Sequence, residues 1–379
     1  MRVLLVCPYD LARPGGVQRH VLDLATARAT AGHVVAVLAP GGIARNDTPF
    51  QIVVLGRFRV LQVLGTAFEV SWADQGQVLD ALSSFRPELV HFHTLWTPFL
   101  AWQVWSLLRR FPQVARIATF HDTPPQGWTG RAIRRVFQVA SRQLSRRLQA
   151  AIAVSTAPAS HLAIRSGCPL HILPGCISLS PYRALPAWLD GQLRVLFTGR
   201  LEPRKGVLVL IQAWSEVSGV LPDAQLVICG DGPQAEEARS LVERLALGNQ
   251  VQFLGAVDEA EKRRQLGTAT VFCAPSLYGE SYGLVLVEAM AAGVPVVAAA
   301  NDGYRQVLQG PGSVGLVEPG DVPGLAKTLI TVLEDQPLRK RLSAWGLEAS
   351  RSADLEAQLP VFLRIYAEAR RSKLDGTGQ

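Results

Sequence analysis

The run Cys273–Ala300, CAPSLYGESYGLVLVEAMAAGVPVVAAA, admits few folds. The apolar segment Val271–Ala274 stops at Pro275, a loop with Gly279 and Gly283 follows, and apolar residues then continue through Met290. Gly293-Val294-Pro295 breaks that run before a second apolar segment. The spacing predicts strand, loop, helix and strand. Two carboxylates, Glu280 and Glu288, stand either side of the expected helix start. A helix N-terminus offers unpaired N–H groups and a partial positive charge, which suit phosphate. A carboxylate in the preceding loop can face a sugar, and one further along can hydrogen-bond a ribose. The stretch points to a nucleotide-sugar site that needs basic partners elsewhere.

The same alternation fills the chain. Residues 2–40 read as a βαβ unit, with Gly15-Gly16 at the start of a helix striped by Val17, Val21, Leu24, Ala25 and Arg28. Further strands are expected at Gln51–Leu55, Leu89–His93, Arg116–Phe120 and Ala151–Val154. After a Pro-, Ser- and Gly-rich linker, Pro174–Gly191, a second series begins with Arg194–Thr198, Gln225–Cys229, Val251–Leu254, Val271–Ala274, Val294–Ala298 and Ser313–Val317. This is an α/β chain of two Rossmann-like β/α/β domains facing across a cleft. The expected domains are residues 1–175 and 176–353, with a last helix at about 354–372 crossing back to the first. Ligands of such sheets sit beyond the carboxyl ends of the strands, where His93 and His121 both fall.

At 379 residues the chain exceeds one ordinary core, and 48% hydrophobic with 18% charged residues describes a folded globular protein. No apolar run approaches the roughly 18 to 20 residues of a membrane-spanning helix. The opening Met-Arg-Val-Leu-Leu-Val-Cys-Pro reads as a strand rather than a secretion signal, so a cytoplasmic protein is expected. Five cysteines without close pairing indicate neither a disulfide framework nor a zinc motif. Residues 1–190 carry 19 Arg, no Lys and 9 acidic residues, while the remainder is slightly acidic. Six arginines of Gly130–Ala150, Arg131, Arg134, Arg135, Arg142, Arg146 and Arg147, alternate with Ile133, Val136, Phe137, Ala140, Leu144 and Leu148 at helical spacing. Such a helix either lies on an anionic membrane or covers the sheet with a solvated face. Arg57-Phe58-Arg59-Val60-Leu61 is a second cationic and apolar patch. No nucleic-acid-binding motif is visible.

Phe197-Thr-Gly-Arg-Leu-Glu-Pro-Arg-Lys-Gly206 follows the first strand of the second half, and Arg200 and Lys205 leave it where a diphosphate would meet the sheet. Gly230-Asp231-Gly232-Pro233 follows the next strand and lets backbone approach a ligand. With these residues in place, the chain resembles the retaining nucleotide-sugar glycosyltransferases of the GT-B fold, family four. Within that family it is most similar to bacterial phosphatidylinositol mannosyltransferases. The runs that carry the likeness include Val6-Cys-Pro-Tyr9, Pro14-Gly-Gly-Val-Gln18, Ala118-Thr-Phe-His121, Glu202-Pro-Arg-Lys-Gly206 and Val285-Leu-Val-Glu-Ala-Met-Ala-Ala-Gly293.

The resemblance implies that Gly15 and Gly16 bring backbone to the donor diphosphate, which Arg200 and Lys205 also bind. Glu280 would hold donor-sugar hydroxyls, with Ser281, Tyr282, Gly283 and Leu284 beside it, and Glu288 the ribose. Gly230 and the stretch Leu254–Val257, Val257 included, would flank the nucleotide. His121 would orient sugar and acceptor, making His121, Arg200, Lys205 and Glu280 the catalytic set. No metal ligand and no cofactor is expected beyond a GDP- or UDP-linked sugar. The implied reaction transfers a hexose, such as mannose from GDP-mannose, to a membrane lipid or lipid-linked acceptor, with peripheral contact at the inner face of the membrane. A soluble acceptor, or nucleotide-sugar binding without catalysis, are the other readings. The chain departs from the family at Pro174-Gly-Cys-Ile-Ser178, where Pro-Asn-Gly-Val-Asp is usual, and in the loops after His93 and His121. Those loops belong to the half expected to bind acceptor.

Overall fold

The computed structural model describes residues 1–13, 15–40, 48–63, 66–95, 100–124, 127–185 and 192–376, with side chains left out at 60–69, 127–129 and 376. Pro14, Thr97-Pro98, Pro125-Gln126 and the end of the expected linker, 186–191, lie outside the described residues. Strands run β1 Arg2–Val6, β2 Val34–Ala39, β3 Gln51–Val54, β4 Arg57–Val63, β5 Thr66–Trp72, β6 Leu89–His93, β7 Ala115–Phe120, β8 Ala150–Ala153 and β9 Leu170–Ile172. The later ones are β10 Arg194–Thr198, β11 Gln225–Cys229, β12 Val251–Gly255, β13 Val271–Ala274, β14 Val296–Ala299 and β15 Leu316–Val317. They form a seven-stranded sheet in the order β3-β2-β1-β6-β7-β8-β9 and a six-stranded sheet in the order β12-β11-β10-β13-β14-β15. Within both sheets every pairing is parallel.

The strands are largely apolar because helices cover both faces. Alternate residues of β1 show this. Val3 and Leu5 pack with Val21 and Leu24 of the helix Gly16–Thr30 and with Phe362, Ile365 and Tyr366 of the helix Leu355–Gly376. Leu4 and Val6 point the other way, onto Val78 and Leu82 of the helix Gln75–Phe85 and Val104 of the helix Leu100–Leu107. The second sheet buries Val195, Phe197, Leu226 and Ile228 against Leu210 and Trp214 of one helix and Leu329 and Val332 of another.

The chain divides into two compact units, Met1–Ser178 with Ala353–Gln379, and Leu179–Ser352. Within the first unit, the returning chain is stitched to the departing one. The Ile177 N–H donates to the Ala353 carbonyl at 3.4 Å, and the Leu355 N–H to the Ile177 carbonyl at 3.0 Å.

Several expectations are revised. The patch beginning at Arg57 is the first strand of an antiparallel hairpin, β4–β5, with Arg57 opposite Trp72; its alternation of arginine and apolar residues is the period of a strand. The weakly apolar Leu170–Ile172 adds an edge strand. Ser313–Val317 is mostly a 3₁₀ turn, Gly310–Gly315, ahead of a two-residue strand. The last helix runs beyond Arg371 to Gly376. All five cysteines are free and buried.

Phe362 is 1% exposed in the core of the first unit. Phe362→Ala is expected to cost about 3–5 kcal/mol and to lower amide protection in β1, β2 and β7, as read by hydrogen exchange. An equal loss in β10 and β11 would show that the helix does not belong to that core.

Candidate functional site

In each sheet the strand order reverses at the first strand of the unit, β1 between β2 and β6, and β10 between β11 and β13. Loops leaving the carboxyl ends of these neighbours diverge to opposite faces and open a crevice for polar chemistry. The chain puts its charged glycine-rich segments there.

In the second unit, Gly199 and Leu201 donate backbone N–H groups to Cys229 and Asp231, so the loop after β10 stays tied to the loop after β11. Pro203 starts a single 3₁₀ turn, Pro203–Lys205, that ends at Gly206 with φ +70°. A side chain at Gly206 would run into the Pro275 carbonyl oxygen, so only glycine lets this loop lie on the one after β13. The Leu277 N–H donating to the Arg204 carbonyl at 2.7 Å fixes the same contact.

The result is a row of alternating charges. Lys205 Nζ donates to Glu280 Oε1 at 2.6 Å, and Arg204 Nη1 reaches the same oxygen at 3.2 Å. Arg204 Nε is 2.6 Å from Glu202 Oε1, whose other oxygen is 3.8 Å from Arg200 Nη2. Burial alone would raise the Glu280 carboxyl; Lys205 and Arg204 outweigh it and hold it below the usual carboxylate range. Three cations share two carboxylates, and the Arg200 side chain, 45% exposed, is the most open of them. Arg204 was not singled out from the sequence; its place two residues after the buried Glu202 is the signal that marks it.

Gly283 starts the helix Leu284–Ala291 at φ +118°, and no side chain caps that start. A Cβ on Gly283 would sit 2.7 Å from the Tyr304 ring, whose hydroxyl lies 3.0 Å from Ser276 Oγ. Ser281, Tyr282 and Leu284 beside it are half-buried. Glu288, one turn into the helix, is buried and belongs to a separate cluster. It accepts from Lys262 Nζ at 2.9 and 3.0 Å and from the Tyr182 hydroxyl at 2.9 Å. Lys262 also pairs with Glu259 at 2.8 Å. Asp258 caps the helix Glu259–Leu266 that carries both residues, directly after the half-buried Val257. Tyr182 and Lys262 were missed because neither lies in a glycine-rich motif. Gly230 follows β11 and donates its N–H to Gly255 at 2.7 Å. Arg200, Lys205, Gly230, Val257 and Glu280 thus all lie in loops at the carboxyl edge of one sheet.

In the first unit, Gly16 opens the helix Gly16–Thr30 and Gly15 precedes it in extended backbone, without a side-chain cap. One turn in, His20 is buried, with Nδ1 2.6 Å from the Cys176 carbonyl oxygen. His93 ends β6 and His121 follows β7; His93 Nδ1 and His121 Nε2 are 3.1 Å apart. The His20 ring stands edge-on to both, with centroids 5.4 Å away. His91 joins Thr119 Oγ1, at 2.7 Å, to the Tyr366 hydroxyl. Burial lowers the pKa of all four imidazoles, so they are neutral at pH 7. Arg28 is buried beside them with its guanidinium 3.9 Å from the Tyr366 ring centre. The sequence singled out His93 and His121; His20 adjoins the apolar stripe of its helix and went unnoticed.

The arginine-rich segment is a helix, Gly127–Leu144, followed by turns. Arg131, Arg134, Arg135, Arg142 and Arg146 are exposed. Val136, expected on the covered stripe, is 64% exposed, as is Val139, because its position falls between the arginines and outside the arc that meets the sheet. Among the described residues no helix is long and apolar enough to cross a membrane.

Burial alone would lower the Lys262 ammonium; Glu288 and Glu259 outweigh it and raise it above the ordinary lysine value. The stability this gives is complete below the unfolded lysine pKa and disappears as pH rises through the higher folded value. Glu288→Gln is expected to cost about 2 kcal/mol at neutral pH and to move the alkaline loss of stability to lower pH. Denaturation curves across the alkaline range measure both, and an unshifted profile would contradict the pairing.

Residues 14–180 match the family described as Glycosyltransferase Family 4, and residues 183–348 match Glycosyl transferases group 1. A phosphatidyl-myo-inositol mannosyltransferase of Mycobacterium tuberculosis is 36% identical over 97% of this chain and 96% of its own length. A protein of the same name from Propionibacterium freudenreichii is 36% identical over 81% and 79%. Among solved structures, a sucrose-phosphate synthase of Thermosynechococcus elongatus superposes with a TM-score of 0.74 at 21% identity, covering 98% of this chain and 99% of its own. An Anabaena protein crystallised with UDP and glucose gives 0.71 at 18% identity, over the whole of both chains. The two Rossmann-like sheets, the family matches and the length of these alignments agree: the chain belongs to glycosyltransferase family 4 and is a glycosyltransferase of the GT-B fold.

Proposed function

We propose that this enzyme transfers a hexose, mannose in the first instance, from a nucleoside-diphosphate sugar to a phosphoinositol-type membrane lipid, with retention at the anomeric carbon. The observation that carries the donor half is the charge row Arg200–Glu202–Arg204–Glu280–Lys205 at the carboxyl ends of β10 and β13. The name shared by the relatives that match along most of their length supports mannose and the lipid.

In this reading Arg200 and Lys205 receive the diphosphate, with Arg204 behind them. As the glycosidic bond breaks, negative charge grows on the leaving phosphate. Cations already fixed in place stabilise that charge with little reorganisation. Glu280 keeps Lys205 extended until the donor arrives and then accepts from sugar hydroxyls. Glu288, steadied by Lys262 and Tyr182, takes the ribose hydroxyls. Gly15, Gly16 and His121 serve the reacting sugar and acceptor from the first unit. Attack on the face the diphosphate leaves lets a phosphate oxygen take the acceptor's proton, so neither a carboxylate nucleophile nor a bound metal is called on in this scheme. The exposed arginines of the helix Gly127–Leu144, with Val136 and Val139 among them, would hold the enzyme on an anionic lipid surface.

A ligand that binds only folded protein raises its apparent stability. A thermal-shift panel of GDP-, UDP- and ADP-sugars is expected to single out GDP-mannose, and a flat panel would remove the donor assignment. Lys205→Ala and Glu280→Ala are expected to lower transfer by about 10²–10³-fold; unchanged rates would place the chemistry elsewhere. Sedimentation with anionic vesicles at low salt is expected to carry the wild type down and to leave an Arg131→Glu, Arg134→Glu, Arg135→Glu variant in solution. Wild type that stays in solution would favour a soluble acceptor.

A further inference from the structure

We propose that His20, His93 and His121 form a binding site for one divalent transition-metal ion, Zn²⁺ being the reference case. The three residues come from separate parts of the first unit: a helix, the end of β6 and the loop after β7. One imidazole nitrogen from each lies within 4.8 Å of the other two. Zinc holds imidazole nitrogen at about 2.0–2.1 Å, and tetrahedral ligands are then about 3.4 Å apart. His93 Nδ1 and His121 Nε2, at 3.1 Å, already have that spacing. Drawing the third nitrogen in takes a shift of at most about 1.5 Å, within the reach of a ring tilt.

His20 is prepared for this. Its Nδ1 lies 2.6 Å from the Cys176 carbonyl oxygen, which only accepts, so the ring proton sits on Nδ1 and the lone pair on Nε2. That Nε2 is buried with no hydrogen-bond partner. A ligating histidine that gives its second ring N–H to a backbone carbonyl has the usual outer support of a metal site. Two imidazoles facing each other satisfy one hydrogen bond between them; a third, held by a carbonyl with its bare nitrogen unpartnered, adds nothing to that pair. A cation shared by the three uses all of them. His20 and His93 are fully enclosed and His121 is half-buried, leaving one side for a water or an anion as fourth ligand. Three nitrogen donors favour Zn²⁺, Co²⁺, Ni²⁺ or Cu²⁺ over Mg²⁺ and Ca²⁺, which take oxygen. An ion there would occupy the His121 nitrogen and inhibit transfer; that consequence alone rests on the functional reading above.

The test reads binding without activity. Full-length protein freed of metal with a chelator is titrated with Zn²⁺ by calorimetry and with Co²⁺ by visible absorption. The expected result is one ion per chain, a raised melting temperature, a four-coordinate Co²⁺ spectrum without thiolate bands, and no such response to Mg²⁺. His20→Gln and His93→Gln should each weaken binding at least about tenfold, while His33→Gln, outside the cluster, leaves it unchanged. Circular dichroism of the metal-free variants shows whether each is folded. No binding by wild type, retention of full affinity in folded His20→Gln, or a thiolate-type Co²⁺ spectrum would each overturn the proposal. The first and the last are read on wild type and hold even if a variant does not fold.

Discussion

A parallel sheet covered on both faces admits polar groups away from its ends only where they are paired, as His91 is with Thr119 and Tyr366, and this constraint organises the molecule. Alternate residues of β1 go to two different cores, so each strand is consumed by packing over its whole length. Charged side chains are therefore pushed into the loops, and the reversal of strand order decides which loops diverge enough to admit a ligand. Glycine-rich segments stand at that reversal in both units, with His93 and His121 in the first and the charge row of Arg200, Glu202, Arg204, Lys205 and Glu280 in the second. Burying them deeper would leave charges unpaired; moving them to the amino ends would separate them from the uncapped starts of the helices that follow.

The two carboxylates of the second unit show how one helix start can hold two environments. Glu280 lies before the helix and pairs with Lys205 and Arg204; Glu288 lies inside it and is enclosed by Lys262 and Tyr182. Glu280 is held below the usual carboxylate range although it is largely buried, because Lys205 and Arg204 stand within hydrogen-bonding distance. The side chains are held in geometry before any ligand binds, so entropy that binding would otherwise cost has been spent on folding. The arrangement also links the cations to one another, since Lys205 and Arg204 share Glu280 and Arg204 and Arg200 share Glu202.

Much of this was legible in the chain because parallel strands are short apolar runs bounded by glycine and proline. The strands β1, β2, β6, β7 and β10–β14 were read to within two residues, as was the location of Arg200, Lys205, Glu280 and His121 at strand ends. What escaped has one of two causes. Partners that join the site from a different segment leave no local pattern: His20, Lys262 and Tyr182 are separated from the residues they meet by 73, 26 and 106 positions. Elements whose register depends on tertiary pairing escaped as well. The β4–β5 hairpin was read only as a basic patch, and Val136 was assigned to a covered stripe although its neighbours turn it outward.

The stitch between Ile177 and the residues around Ala353 means that the second unit is one uninterrupted insert whose two ends emerge side by side. During synthesis the insert is complete once Ser352 has left the ribosome, and it can close its own core at that point. The first unit cannot do so. Phe362, Ile365 and Tyr366 fill the space beneath β1 and beside Arg28, and they are made only after the whole insert. The half that begins first is thus the half that finishes last, and until then it presents an open apolar face that a chaperone or a neighbouring chain can reach.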